Sequence, residues 1–204
     1  MSSSHNSPDE PSTADDHSEA DSPLLSVRDL TTTFATADGA RRAVDGVSFT
    51  VDAGETVCLV GESGSGKTVA TESITQLIDQ PPGTIRGDLR FNGTDLLALS
   101  QPELRSIRGA EIAHIFQNPQ ESMNPCYTVG WQLVEAIQVH GEIPESQARR
   151  RAVELLNRVG IDSASSRFTD YPHEFSGGQK QRVMIAMALV GSPQLLLADE
   201  PTTA

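Results

Sequence analysis

Eight consecutive residues, Gly61-Glu62-Ser63-Gly64-Ser65-Gly66-Lys67-Thr68, constrain this chain more than any other stretch. They fit the pattern G-x-x-x-x-G-K-[ST], the Walker A phosphate loop. Glu55 to Val60 before them read as a short buried strand, and Thr68 to Ile78 after them as a helix offering Val69, Ile74, Leu77 and Ile78 for packing. Gly61, Gly64 and Gly66 let the backbone turn with positive φ and come close to a ligand. Their N–H groups then form an anion cradle at a helix N-terminus, where the helix dipole also favours negative charge. Within that cradle Lys67 is placed to reach β- and γ-phosphates and the Thr68 hydroxyl to ligate Mg²⁺.

The bulk numbers narrow the partners. With 28 acidic and 15 basic residues among 204, the formal net charge is -13. A bare nucleic-acid surface needs clustered Lys and Arg, so no nucleic-acid partner is expected. Acidic excess also suits work in high salt; folding that is insensitive to salt would count against that reading. The two cysteines, Cys58 in the strand before the loop and Cys126 in a Pro-rich loop, have no ligand-spaced partners and are expected to be free thiols. The longest apolar run, Val183 to Val190, is too short to cross a bilayer.

Residues 1–23 carry six acidic residues, no Lys or Arg, and almost nothing to bury, so they read as a disordered acidic tail in which His5 and His17 are solvated. Order begins at Leu24. Alternation through Leu25, Val27 and Asp29, then Thr31 to Phe34, predicts a strand that turns at Asp38-Gly39. A second strand runs through Arg42 and Val44 to Val51. Gly87 to Phe91 predicts a third, closed by the hairpin turn Asn92-Gly93. Ser100 and Glu103 form a capping box for a short helix, and Ile112 to Phe116 reads as a strand. Val129, Leu133, Val134 and Ile137 have helical spacing. Ser146 to Val159 is an amphipathic helix, its arginines Arg149, Arg150 and Arg151 reading as a solvated face with snorkelling stems or as a binding patch. Phe175-Ser176-Gly177-Gly178-Gln179 opens a helix, apolar nearly all round and so expected in a core, whose start is a second anion-binding helix N-terminus. Leu195 to Ala198 reads as a buried strand ending in Asp199-Glu200.

Walker A alone leaves GTPases, kinases and helicases open. Ser176-Gly177-Gly178-Gln179 ahead of the strand that ends in Asp199-Glu200 is more restrictive, and together they resemble the ATP-binding subunits of ABC transporters. Tyr171 to Gly178, Met184 to Leu189, Phe116-Gln117-Asn118-Pro119 and Ser122-Met123-Asn124-Pro125 resemble the oligopeptide, dipeptide and nickel importer branch. Phe175 stands where the family usually has Leu, and Asn118 where the branch more often has an acidic residue. The resemblance implies an α/β fold: a P-loop NTPase core with a mostly parallel sheet, an antiparallel β subdomain and an all-helical insertion at about 119–171. It also implies further segments after Ala204, including a Leu-Asp pair and a histidine, so 24–204 is expected to be an incomplete ATP-binding domain of doubtful activity alone.

Roles follow from the resemblance residue by residue. Gly61, Ser63, Gly64, Ser65, Gly66, Lys67 and Thr68 would bind ATP phosphates. Thr68, Gln117 and Asp199 would hold Mg²⁺. Glu200 would act as general base, with Gln117 as a second catalytic residue linking nucleotide state to the membrane partner. Phe34 would stack on adenine, or else serve the core. Ser176, Gly177, Gly178 and Gln179 would cap the γ-phosphate of ATP held by a second ATP-binding subunit, identical or not. The implied partners are transmembrane permease subunits, with an extracytoplasmic substrate-binding protein acting through them, and the implied place is the cytoplasmic face of the membrane. The implied function is ATP hydrolysis powering peptide import through dimer closure; the alternatives are a soluble ABC ATPase acting on nucleic acid or ribosomes, and a nonhydrolytic nucleotide-binding regulator.

Overall fold

The structure is a computed structural model that describes residues 22–116, 122–139 and 141–200. Strands β1 (Leu25–Thr36) and β2 (Gly39–Val51) form a long antiparallel hairpin at the predicted turn. β3 (Gly83–Phe91) pairs with the other edge of β1, and β4 (Thr94–Asp95) pairs with β3, giving a four-stranded sheet in the order β2-β1-β3-β4. Asn92 and Gly93 both take positive φ, 48° and 75°, as a two-residue turn between right-twisted strands requires. A separate parallel pair, β5 (Ile112–Ile115) beside β6 (Leu195–Ala198), joins residues far apart in the chain.

The hairpin is not regular. Pairing of β2 with β1 steps from Val44↔Thr32 to Arg42↔Thr33, so Ala43 is an extra residue in β2. Such a bulge bends its strand and re-aims what it carries.

Helix α1 (Lys67–Ile74) starts in the glycine loop and lies between the two sheets. Ala70 and Ile74 join Leu25, Leu30, Leu89, Phe91, Ile112 and Leu195 in one buried cluster. Burying each large member of such a cluster is worth about 1.5–3 kcal/mol. α1 is also pinned by polar contacts: the hydroxyls of Ser73 and Thr32 on β1 meet at 2.7 Å inside this core.

The helix stops at Ile74, short of the predicted Ile78. Arg108 explains the stop. Its Nε donates to the Thr75 carbonyl at 2.7 Å and its guanidinium donates again to the Gln76 carbonyl at 2.8 Å. Those groups lie where helical carbonyls lack intrahelical partners, and a cation there also complements the dipole. Ile78 is still buried, while Leu77 is 39% exposed.

Glu55 to Val60 was expected to be a buried strand. The structure assigns it no strand, and the segment is exposed, with Val60 93% accessible. Cys58 is exposed with it. An apolar run becomes a strand only where another strand completes its ladder. Among the described residues β2 pairs with β1 and β5 pairs with β6, and no strand pairs with this segment. β6 shows the same effect in part: Leu195 is buried but Leu196 is 41% exposed.

The second cluster is helical. α2 (Gln101–Ile107) leads into β5, its Ser100 N–H donating to Glu103 as the capping box requires. α3 (Val129–Val139), α4 (Glu145–Arg158), α5 (Ala164–Arg167) and α6 (Gly177–Ala188) follow. Leu133, Ile137, Leu156, Phe168, Phe175, Val183 and Ala186 share one core. Only Val183 and Ala186 of α6 are fully buried, so its apolar surface is covered in part rather than all round. Gly160, at φ 79°, follows α4 in the left-handed conformation expected of its C-terminal glycine. The arginine run of α4 is divided: Arg149 lies over the Phe168 ring, and Arg151 donates to the Val190 carbonyl at 2.7 Å. Both are tied down within the chain.

Candidate functional site

The glycine loop ends where β2 leans on it. Gly66 is the N-cap of α1 at φ 94°. A Cβ at this position would sit 2.3 Å from the carbonyl oxygen of Ala43, the bulge residue. Only glycine combines that φ with that approach. α1 has no side-chain cap at its start, so its first N–H groups meet no competing acceptor from the N-cap side chain.

Lys67 folds back over the loop. Its ammonium donates to the carbonyls of Gly61 at 2.8 Å and Glu62 at 2.9 Å, which holds the charge at the mouth of the cradle. Thr68 points the other way. Its hydroxyl donates to Asp199 Oδ2 at 2.5 Å, joining residues 131 positions apart. Asp199 is carried there by β6, whose last residues run parallel to β5 and whose Asp199 N–H donates to the Ile115 carbonyl at 2.9 Å.

A cleft of about 510 Å³ collects these groups. Ser63, Gly64, Gly66, Lys67 and Thr68 line it, together with Asp199, Glu200 and Phe34. The Phe34 ring is partly buried against the sheet core and also lines the cleft. Arg41, Arg42 and Ala43 complete the wall; sequence reading did not single them out, because only the β1–β2 register carries them to Phe34 and the loop. Ser176, Gly177, Gly178 and Gln179 do not line this cleft. They form the start of α6, where the Gln179 N–H donates to Ser176 Oγ at 3.3 Å and the Ser176 N–H to Gln179 Oε1 at 3.0 Å. Gln117 lies outside the described residues.

Behind Thr68 and Asp199 is a group of titratable side chains with no sequence signature. His114 on β5 shares a hydrogen bond of 2.7 Å with the Thr75 hydroxyl at the end of α1 and stacks on Phe116. Burial, reinforced by the Arg108 charge and partly offset by Asp199, lowers its pKa to about 4. Glu72, one turn along α1 from Thr68, is pushed above the usual carboxylate range by burial and by the Asp199 charge.

The Thr68 hydroxyl and Asp199 carboxylate fit Mg²⁺, a hard cation that takes one or two carboxylates and completes its shell with water and substrate phosphates. The described residues contain no cluster of three or more His, Cys, Asp or Glu arranged for a metal. No described helix is long and apolar enough to cross a membrane.

A second concavity lies on the helical part. Tyr127 and Trp131 stack at 4.1 Å, each 44% exposed, and line it with Ala136, Val139 and Met187.

Comparison with known proteins agrees with the geometry. The family model described as ABC transporter matches residues 44–203. The oligopeptide transport ATP-binding protein of Bacillus subtilis (strain 168) is 51% identical over 182 residues, covering 89% of this chain and 51% of the relative. The dipeptide transport ATP-binding protein of Escherichia coli (strain K12) is 52% identical over 181 residues, covering 89% of this chain and 55% of the relative. The chain thus spans about half the length of these curated relatives. Among solved structures, a dimeric ATP-binding cassette in a post-hydrolysis state, bound to ADP and Pi, superposes with TM-score 0.79 at 28% identity over 89% of this chain and 75% of that one.

Proposed function

The chain belongs to the ABC transporter family, and from that premise we propose that it is the ATP-binding and ATP-hydrolysing part of a subunit that powers import of peptides. One contact supports this reading above the rest: the hydrogen bond from Thr68 to Asp199, which sets the phosphate loop against the acidic end of β6. A loop that only bound an anion would have no use for two adjacent carboxylates at its side. Substrate ATP would lie along the cleft, its base toward Phe34 and its phosphates on the start of α1. Lys67 would exchange its loop carbonyls for phosphate oxygens. Thr68 and Asp199 would hold Mg²⁺, which when bound supplies neutralising charge to the phosphates. Glu200, on the cleft wall beside them, would accept the proton of the attacking water. Phosphoryl transfer depends mainly on such positioning and charge compensation.

Peptides are the substrate class favoured by the relatives, whose names state oligopeptide and dipeptide transport. Assembly as a dimer is favoured by α6. Its start carries the signature serine and glycines, yet it does not line the chain's own cleft, so a phosphate it meets would belong to a second ATP-binding subunit. ATP would then bridge two subunits, and hydrolysis would release the bridge, a two-state element of the kind that drives alternating access. The exposed aromatic hollow at Tyr127 and Trp131 would be the surface offered to a transmembrane permease subunit, which would hold the chain at the cytoplasmic membrane face.

Lys67→Ala tests the core of this reading. MgATP affinity measured by calorimetry should fall at least tenfold, about 1.4 kcal/mol. Unchanged affinity would remove the nucleotide from the loop and the proposal with it.

A further inference from the structure

The cleft has an end that the phosphate chemistry leaves unexplained. Arg41 on β2 is paired directly with Phe34 on β1, and both line the cleft. Residues opposite each other in an antiparallel pair share a face, with Cβ atoms about 5 Å apart. The Phe34 ring is held from behind: a Cβ on Gly83 would lie 3.5 Å from its Cε1. Arg41 differs from its neighbour. Arg42 is spent on Asp45 at 2.6 Å, whereas the exposed Arg41 guanidinium makes no hydrogen bond or ion pair among the described residues. In a chain of net charge -13 an arginine without a partner beside a cleft is an unused cation.

Position selects what it could serve. Ala43 touches the loop at Gly66, and Arg41 lies two residues up the same strand. At about 3.3 Å per residue this is roughly 7 Å from the loop. The phosphates already have Lys67 and the N–H groups of α1, and that interval leaves room for a sugar. What reaches Arg41 and Phe34 is therefore the base. A guanidinium is planar, weakly hydrated and stacks readily on aromatic faces.

We propose that Arg41 is a nucleotide-binding residue which, side by side with Phe34, forms a composite platform for the purine ring of a nucleoside triphosphate. This rests on the nucleotide-binding reading of the cleft. Stacking is indifferent to the base edge, so the platform accepts adenine and guanine alike.

The test is equilibrium binding of MgATP, MgGTP and inorganic triphosphate to the full chain and to the exposed-site variants Arg41→Ala and Arg41→Lys. Arg41→Ala should weaken both nucleotides about fivefold, the size of a cation–π contact at an open site. Inorganic triphosphate should bind as before, and Arg41→Lys should recover only part of the loss because it lacks the plane. Unchanged nucleotide affinity overturns the proposal. So does an equal loss for inorganic triphosphate, which makes Arg41 a source of general field, and so does a loss confined to one purine, which makes it an edge reader. Failure of the wild-type chain to bind any of the three is a different result: it overturns the nucleotide reading itself, and this proposal falls with it.

Discussion

Two helices of this chain begin in glycine-rich turns, and they are built in opposite ways. α1 starts at Gly66, in a left-handed conformation, with no side chain closing its first turn. α6 starts at Ser176, in an extended conformation, with a reciprocal box between Ser176 and Gln179. At α1 the donors are left for a ligand, and the helix is secured from its other end and its flank by Arg108, His114 and Thr32. At α6 the chain closes the Gln179 donor with the Ser176 hydroxyl and so secures the first turn from within. The contrast separates a helix start with no side-chain cap from one that its own N-cap serine partly closes. Glycine content does not distinguish them; the residue in the cap position does.

The largest expected effect comes from putting alanine at matched glycines. Gly66→Ala forces a Cβ toward the Ala43 carbonyl at an unfavourable φ. It should cost at least about 3 kcal/mol of stability and abolish MgATP binding. Gly178→Ala meets nothing within 4 Å and sits in α6. It should be neutral or stabilise by up to about 1 kcal/mol, since alanine is the better helix former. Urea midpoints for the pair check this. Equal losses would mean that the two starts are held alike and that the contrast is false.

How much of this was open to sequence reading depends on the range of the interaction. Gly61 to Thr68, the Ser100–Glu103 box, the Asn92-Gly93 turn and the Ser176 helix start are local patterns, and their residue types carry the conformation. Asp199 was placed by the apolar strand before it. Ala43, Arg41 and Arg42 were missed because a one-residue shift between β1 and β2 leaves no local mark. Arg108 capping α1 across 33 residues, and His114 bonding Thr75 across 39, are likewise invisible in any window. The strand expected at Glu55 to Val60 failed for a related reason: alternation and apolarity predict a strand's faces but not whether a partner exists to pair with it.

The next effect probes how α1 is anchored. In the unfolded chain a histidine takes up a proton below about pH 6.5. Folded His114, facing the Thr75 hydroxyl, the Arg108 guanidinium, the Asp199 carboxylate and the Phe116 ring, does so only near about 4. Between those values the unfolded state binds more protons, so stability falls as pH is lowered through the window and the loss is complete below it. The contribution is up to about 3 kcal/mol. Glu72, raised in the fold, works in the opposite sense and remains in both proteins compared. His114→Gln keeps a polar partner for Thr75 but does not titrate, and should flatten the stability–pH curve between 4 and 6.5. The box at α6 is Ser and Gln, so amides of α1 should lose exchange protection in acid before those of α6. Parallel curves for wild type and His114→Gln would place the acid sensitivity elsewhere.

The smallest effect is the one that bears most directly on assembly. Ser176→Ala removes the hydroxyl that accepts from the Gln179 N–H. At 3.3 Å that bond is long, and the return bond from the Ser176 N–H to Gln179 survives the change. The expected cost is therefore at the low side of N-cap losses, about 0.5–1 kcal/mol. MgATP affinity of the isolated chain should not move by more than about twofold, which is under 0.5 kcal/mol, because Ser176 lies outside the cleft that Lys67 and Thr68 line. The two readouts fail independently. A stability loss near 3 kcal/mol would mean that Ser176 supports more than its own helix turn. A tenfold loss of MgATP affinity at unchanged stability would bring the serine into contact with the chain's own nucleotide. That outcome would erase the distinction between the two helix starts, and with it the argument that α6 waits for a phosphate held by another subunit.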